Sequence, residues 1–182
     1  MIRAGEDAQK DVAIAIADLM MSAAKTAPKG SGADKIIAIT LTGKDKDALT
    51  DKMRERGKEL GHDFFIRDAG NIDHSYCIVL LGAVDVPLAL DNCGMCGFPN
   101  CGESKKAGAH CAFNVTDLGI AVGSAVSIAA DNRLDNRIMY SAGRVAMEMG
   151  LFDGNVTIAF GIPLFASSKS IFFDRAPGSV LV

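Results

Sequence analysis

Four of the five cysteines in this chain are crowded into one short segment, and this crowding constrains the chain more than any other feature. Cys93, Cys96 and Cys101 follow a C-x2-C-x4-C spacing, and Cys111 comes after nine more residues. Four thiolates are the usual complement of a 4Fe–4S or 2Fe–2S cluster. A C-x2-C pair can wrap round one side of a metal centre while the later cysteines close the other. We therefore predict a 4Fe–4S cluster bound by these four cysteines.

Glycines beside the cysteines fit the same interpretation. Because they lack Cβ, Gly94, Gly97 and Gly102 let the backbone bend sharply and bring amide N–H groups close to the sulfurs. The fifth cysteine, Cys77, stands apart in an apolar predicted strand, where a thiol behaves as a small hydrophobic side chain. We do not expect Cys77 to bind metal.

A structural zinc site is the main alternative, since zinc also accepts four thiolates in a tetrahedral array. His110 adjoins Cys111 and could replace it as a ligand. Zinc sites more often use two paired knuckles, whereas this chain has a single C-x2-C pair, so the pattern favours the cluster. Cysteines that share no metal are the third interpretation.

Length and charge exclude several classes of function. With 182 residues, 49% of them hydrophobic, the chain can bury a full core without cross-links. The net charge is −3, and the sequence has no block of lysines or arginines. It therefore predicts no positively charged surface that would bind nucleic acid or an anionic membrane. Asp18 interrupts the first apolar stretch, unlike a signal peptide, and the apolar run of residues 118–130 is too short to span a bilayer. We expect a cytoplasmic protein.

Hydrophobic periodicity predicts alternating helices and strands. The predicted helices cover residues 7–27, 45–60, 114–130 and 138–149, and the predicted strands cover residues 36–41, 64–66, 76–81 and 156–160. Asn114 is the expected N-cap of the third helix, Asp68 is expected in a turn or cap, and residues 161–163 are expected to form a turn. This order predicts an α/β (α+β) layered sandwich with a mixed sheet flanked by helices. We expect a single domain, residues 1–182, with residues 91–113 embedded as a cysteine-rich segment.

The string C-G-x-C-G-F-P-x-C resembles the 4Fe–4S motif of electron-transport complex subunits and corrinoid iron–sulfur proteins, although the spacing to the fourth cysteine is shorter here. Nearly the whole chain resembles an uncharacterised family of bacterial and archaeal proteins described as containing a ferredoxin domain. Besides the cysteine segment, the strings that carry this resemblance are residues 24–29, 65–69, 161–164 and 171–175. The resemblance implies a cluster and does not imply a known reaction.

The outer framework also resembles a diverged nitroreductase fold, with a first helix followed by Ala27 and Pro28, a small-residue helix from Asp117, and residues 161–163 near the end. Nitroreductases bind FMN between two subunits, so the resemblance implies a possible FMN site and a homodimer. Gly119 and Gly123, which would let another backbone approach closely, also favour a dimer. Polar contacts to such a cofactor could come from Arg3, Lys25, Lys29, Asn71, Arg144 and Lys169, although the usual arginine-rich start is missing.

These observations predict an iron–sulfur redox protein that transfers electrons to an unknown partner protein. One alternative is an FMN-dependent nitroreductase-like reductase in which the cluster feeds the flavin. The other alternative is a zinc-structured interaction module.

Overall fold

The computed structural model of the protein describes residues 2–173. Within that range, the chain forms six α-helices, four β-strands and one turn of 3₁₀ helix at Gly30–Gly32. The helices are α1 (Gly5–Thr26), α2 (Gly43–Leu60), α3 (Asp63–His74), α4 (Cys101–Lys106), α5 (Ala112–Asp131) and α6 (Tyr140–Glu148). The strands are β1 (Ile36–Leu41), β2 (Cys77–Val84), β3 (Asp135–Asn136) and β4 (Val156–Phe165). Asp174 and Arg175, at the end of the last family-like string, lie outside the described residues.

The four strands form one sheet in the order β1-β2-β4-β3. The predicted layered fold class is confirmed, but the prediction of a mixed sheet is wrong, because every pairing within residues 2–173 is antiparallel. The reason is visible in β2, whose residues are buried on both faces of the sheet. A strand covered on both faces is a continuous apolar run, whichever direction its neighbours take.

Helices cover both faces of the sheet, each over its own hydrophobic cluster. On one face, α1 and α5 pack against each other and on the alternate residues Val79, Leu81 and Ala83 of β2. On the other face, α2, α3 and α6 pack on Ile78 and Leu80. The alternation follows from the pleat of a strand, in which successive side chains point to opposite faces. The result is a sheet held between two helical layers.

Residues 64–66, predicted as a short strand, lie in α3 instead. Buried Phe65, Ala69 and Ile72 recur at helical spacing on one face of this helix. Three apolar residues alone cannot distinguish a strand from a helix, because the period only becomes visible across the longer segment.

Asp68 does not occupy a turn or a cap, as the sequence suggested, but is buried in α3. Its Oδ2 accepts a hydrogen bond of 2.6 Å from the Ser141 hydroxyl of α6, and its Oδ1 accepts two from the Arg67 guanidinium. A buried carboxylate needs such partners to offset the loss of water. This carboxylate therefore ties α3 to α6.

The turn predicted at residues 161–163 is absent, because β4 continues through it to Phe165. Gly161 exchanges backbone hydrogen bonds with Met139, on the β3 side of the strand. Since backbone groups of alternate residues face the same side, the nitrogen of Pro163 also faces that side and takes no bond from the β2–β4 ladder. The packing of β4 between two neighbours overrides the local preference of a Gly-x-Pro sequence for a turn.

Helix α6 crosses the sheet at very close range. A Cβ atom built on Gly143 would lie 2.0 Å from the carbonyl oxygen of Ala159 and 2.6 Å from the backbone nitrogen of Phe160. A Cβ on Gly161 of β4 would lie 2.6 Å from the Cβ of Ala142. Only glycine at these two positions allows the helix to rest directly on the backbone of β4.

Helix α5 is long and apolar enough to cross a membrane by length and composition alone, and it is the one such helix found within residues 2–173. In this fold, its inner face packs against α1 and the sheet through buried Leu118, Ala121, Val122, Ala125 and Ala129. The apolar run of residues 118–130, too short by itself to span a bilayer, therefore lies within a longer helix that is buried on one face. The other face exposes Val115 and Ile120.

Candidate metal centre

The connection between β2 and α5 carries all four of the clustered cysteines. Cys93, Cys96, Cys101 and Cys111 line one pocket, and each is partly buried. The space between the lining residues, including its opening to solvent, is about 400 Å³. The rest of the lining is mainly apolar and includes Pro87, Leu90, Met95, Phe98, Ala112 and Phe113. The structure therefore brings together the residues that the spacing singled out, although they span 19 residues of sequence.

The loop that presents Cys93 and Cys96 is bent by two glycines in the left-handed region. Gly94 has φ of 60° and Gly97 has φ of 82°, values that side chains with Cβ disfavour. The Gly97 N–H donates a 2.9 Å hydrogen bond to the Gly94 carbonyl, which closes the turn around Cys96. The two glycines therefore let a C-x2-C pair turn both thiols toward one pocket.

The Cys96 sulfur receives hydrogen bonds from its surroundings. Hydrogen bonding from the Phe98 backbone N–H and, after it, the Ser104 side chain lowers the pKa of the Cys96 thiol below its usual value. Such donors favour the thiolate, which is the form that binds metal. Ser104 is buried, and its hydroxyl donates to the Ala109 carbonyl oxygen at 3.5 Å.

Cys101 is the first residue of the short helix α4. The Asn100 side chain precedes it as the N-cap and accepts a 3.0 Å hydrogen bond from the Glu103 N–H. This cap fixes where the helix begins and therefore where the Cys101 side chain leaves the backbone.

Cys111 is the N-cap residue of α5, which begins at Ala112. The prediction that Asn114 caps this helix is wrong, because Asn114 lies inside the first turn and is buried. Its side chain instead donates a 3.0 Å hydrogen bond to Asp85 Oδ1. A helix N-terminus favours negative charge beside it, so the position suits a thiolate ligand.

Asp85, the residue after β2, fastens the far end of the cysteine segment. Its Oδ1 accepts from the Cys111 backbone N–H at 3.2 Å as well as from Asn114, and its Oδ2 lies 3.4 Å from Nδ1 of His110. Sequence reasoning missed Asp85, and one aspartate after a strand gives no signal that it will contact residues 26 positions away. The position of Cys111 depends on it.

The loop after α1 forms the wall behind Phe113. The Gly30 N–H donates a 2.9 Å hydrogen bond to Asp117 Oδ1 in α5. A Cβ on Gly30 would lie 2.8 Å from Leu88 Cδ1 and 3.3 Å from the Phe113 ring. This close contact packs the Phe113 ring against the loop that follows α1.

The donor set of the pocket suits a thiolate-bound metal centre. The four thiols surround one pocket, and Cys96 is favoured as thiolate. Four thiolates are the donor set of an iron–sulfur cluster and also of structural zinc. Within residues 2–173, no three His, Cys, Asp or Glu side chains are grouped closely enough to share one metal ion.

His110, the residue considered as a substitute for Cys111, is not part of this lining. It lies on the other side of the segment, where its Nδ1 faces Asp85 and its side chain is 45% exposed. The structure therefore places Cys111, and not His110, beside the other three thiols.

The six residues considered for a flavin do not form one site. Arg3 pairs with Asp11 at the start of α1, and Arg144 pairs with Glu148 on the surface of α6. Lys29 is buried at the end of α1, where its Nζ donates to the carbonyls of Ala24 and Lys25. Lys25 lies at the end of α1, Asn71 lies in α3, and Lys169 follows β4. Within one chain, only Lys25 and Lys29 lie together, and both pair with Asp34.

Comparison with known proteins agrees with this architecture. A family model described as "uncharacterized protein containing a ferredoxin domain" (DUF2148) matches residues 107–175. A protein of Archaeoglobus fulgidus, described as an uncharacterized protein, is 42% identical over 177 residues that cover 92% of this chain and 95% of the relative. The chain belongs to this ferredoxin-domain family. The family model includes Cys111 and α5, whereas the first three clustered cysteines precede the matched residues.

Solved structures similar to this ferredoxin-domain protein include several nitroreductases. A putative NADH dehydrogenase/NAD(P)H nitroreductase of Bacteroides thetaiotaomicron has a TM-score of 0.56 at 12% identity, covering 86% of this chain and 75% of that one. The FMN-dependent nitroreductase NfnB of Mycobacterium smegmatis has a TM-score of 0.56 at 12% identity, covering 85% and 78%. NfrA2 of B. megaterium has a TM-score of 0.54 at 14% identity, and this chain covers 58% of its length. The nitroreductase-like framework is confirmed as a fold.

Proposed function

We propose that this protein is an iron–sulfur redox protein, in which Cys93, Cys96, Cys101 and Cys111 hold a 4Fe–4S cluster and electrons pass to a partner protein. The observation that carries the proposal is the convergence of these four thiols on one apolar-walled pocket. The ferredoxin-domain description of the family supports it. A bound cluster supplies one-electron transfer.

The residues around the thiols suit this task. Hydrogen bonding from the Phe98 N–H and the Ser104 side chain lowers the pKa of the Cys96 thiol, and hydrogen bonds to cluster sulfurs tune the reduction potential. Phe98 and Phe113 exclude water from the wall of the pocket. Leu90 and Met95, 46% and 58% exposed, present apolar side chains at the pocket to a docking protein.

We expect anaerobically purified protein to be brown and to contain about four iron and four sulfide per chain, as a four-thiolate 4Fe–4S site requires. Iron, zinc and acid-labile sulfide are measured on the same sample, and the visible spectrum is recorded before and after reduction. About one zinc per chain without sulfide would contradict the proposal and would support the zinc-structured interaction module.

The nitroreductase fold favours a second candidate, an FMN-dependent reductase in which the cluster feeds the flavin. The dispersed positions of the polar residues described above weigh against it. The test is direct, because a bound flavin is released by denaturation and gives a yellow supernatant with flavin absorbance.

We propose a homodimer formed through the outer face of α5. This face exposes Val115, Gly119, Ile120 and Gly123, and it carries no charged side chain between Asp117 and Asp131. Small and apolar residues on an exposed face favour close packing of a second helix.

We expect the protein to sediment as a dimer and Ile120→Glu to convert it to a monomer, because the new carboxylate would lose water at the interface. Sedimentation velocity at micromolar concentration measures this, with Lys58→Glu on the exposed surface of α2 as the control. An unmodified protein that is monomeric under these conditions would contradict the dimer.

We further propose a cytoplasmic location. All five cysteines are free within residues 2–173, and oxygen-sensitive thiolate clusters suit a reducing compartment.

The core of the fold should persist without the cluster. Neither hydrophobic cluster of the described chain includes a residue between Ala83 and Leu118, so the cysteine segment adds little to the packed core. We therefore expect chelation of iron to disorder the segment, or to let its cysteines form disulfides, while the sheet and its helices remain folded.

Limited trypsin digestion after iron removal measures this, because Lys105 and Lys106 lie in the segment. We expect faster cleavage there, and a far-ultraviolet circular dichroism spectrum that stays close to that of the loaded protein. If iron removal instead unfolded the whole chain cooperatively, the fold would depend on the cluster, and this prediction would be wrong.

A further inference from the structure

A second, polar pocket lies directly behind the thiol pocket. The cysteine segment, the end of β2 and the start of β4 enclose it, and its lining includes Asp85, Ser104, Lys105, His110, Asn155 and Thr157. Pro87 and Ser104 line both pockets, so the wall between them is one residue thick. Ser104 is also one of the residues that lower the pKa of the Cys96 thiol.

Thr157 reaches this pocket because of a β-bulge. Ala83 pairs with Ile158 and Val84 pairs with Val156, so Thr157 is an extra residue on β4 with no partner on β2. Bulges are common next to functional sites, where they re-aim a side chain. The Thr157 hydroxyl oxygen is buried and has no hydrogen-bond partner within residues 2–173. A buried hydroxyl without a partner requires an explanation, and a bound ligand provides one.

One cationic side chain in this pocket is available to an anion. Lys105 forms no ion pair within the described part of the chain, whereas the adjacent Lys106 pairs with Glu103. The only carboxylate in the lining belongs to Asp85, and its oxygens are already engaged by the Cys111 N–H, Asn114 and His110. The ammonium of Lys105 and the amide of Asn155 remain as donors to a ligand, and the Thr157 hydroxyl in the same lining has no other hydrogen-bond partner within residues 2–173.

We propose that this pocket binds a small oxyanion or carboxylate, and that the charge of the anion, held one residue away from the thiol pocket, controls the reduction potential of the cluster. The proposed effect on the reduction potential depends on the proposed cluster, whereas the binding of the anion does not. An anion close to the cluster disfavours the added negative charge of the reduced state, so it lowers the midpoint potential. By linkage, the reduced protein binds the same anion more weakly, by a factor of about five or more.

The binding test uses inorganic phosphate and malonate as probes, titrated calorimetrically into the full-length protein at constant ionic strength. We expect saturable binding that Lys105→Gln and Thr157→Val each weaken at least about fivefold, because each removes a donor to a desolvated anion. Lys106→Gln is the matched control, since it removes the same charge one residue away and outside the pocket. Thr157→Val keeps the shape of the side chain, and iron content verifies that each variant retains its site.

The absence of saturable binding, or equal weakening by all three substitutions, would overturn the proposed site. A redox titration of the iron-loaded protein with and without the bound probe then tests the coupling. Binding that leaves the midpoint potential unchanged would overturn the control of the cluster. If anaerobically purified protein contains no iron but binds the probe, the proposed function is contradicted and the anion site still stands.

Discussion

Anaerobically purified Cys96→Ala protein is expected to contain almost no iron, whereas Cys77→Ala protein is expected to contain as much as the unmodified chain, about four per chain. Cys96 lines the pocket and receives hydrogen bonds that favour its thiolate. Cys77 is fully buried in β2, and burial raises the pKa of its thiol to about 12. The Cys77 sulfur therefore stays a neutral thiol in the core at physiological pH.

Iron and sulfide analysis, together with circular dichroism, measures the difference between these two variants. Alanine at Cys93, Cys101 or Cys111 should act as it does at Cys96, because a four-thiolate site loses one ligand in each case. If Cys77→Ala lost its iron while remaining folded, or if Cys96→Ala kept a full complement, the ligands would be wrongly assigned.

Gly143→Ala is expected to destabilise the fold by at least about 3 kcal/mol, because the added methyl group would overlap the backbone of β4 and no side chain can move aside. The contact at issue is the 2.0 Å separation from the Ala159 carbonyl oxygen. Either α6 must lift off the sheet or β4 must bend, and both changes disturb the buried Ala142 and Val145.

Urea unfolding measures the free energy change, and Gly70→Ala provides the matched control. Gly70 also lies within a helix, α3, but a Cβ there would meet nothing within 4 Å. Alanine at Gly70 should therefore stabilise the protein by about 0.5–1 kcal/mol through its higher helix propensity. Equal free energies of unfolding for Gly143→Ala and the unmodified protein would show that α6 does not rest on β4 as described.

The sequence predicts those features of the fold that depend on neighbouring residues. The strand at Ile36–Leu41 was predicted with its observed bounds, and the helix ending before Gly61 was predicted because a glycine with positive φ commonly ends a helix. The cysteine spacing likewise predicted a shared site, and the structure places the four thiols around one pocket.

Features that depend on distant parts of the chain were missed. Pro163 continues a strand because its nitrogen faces away from β2, which no local pattern reveals. Asp85 and Asp68 acquire their roles from partners 26 and 73 positions away. The bulge at Thr157 depends on the register between two strands, and register is set by packing across the sheet and not by either strand alone.

The hydrogen bond from the Cys111 backbone to Asp85 brings together the two ends of the segment that carries the thiols. The two ends of this segment lie side by side, so its length can change without moving the sheet or the helices. The length then affects the stability of the fold only through loop-closure entropy. That entropy grows slowly, by about 0.6 kcal/mol for each doubling of length. The sheet and helices can therefore keep their packing when the segment at this point is longer, shorter or carries cysteines at other spacings. In evolutionary terms, a nitroreductase-like scaffold can gain or lose a cysteine segment here by insertion or deletion alone.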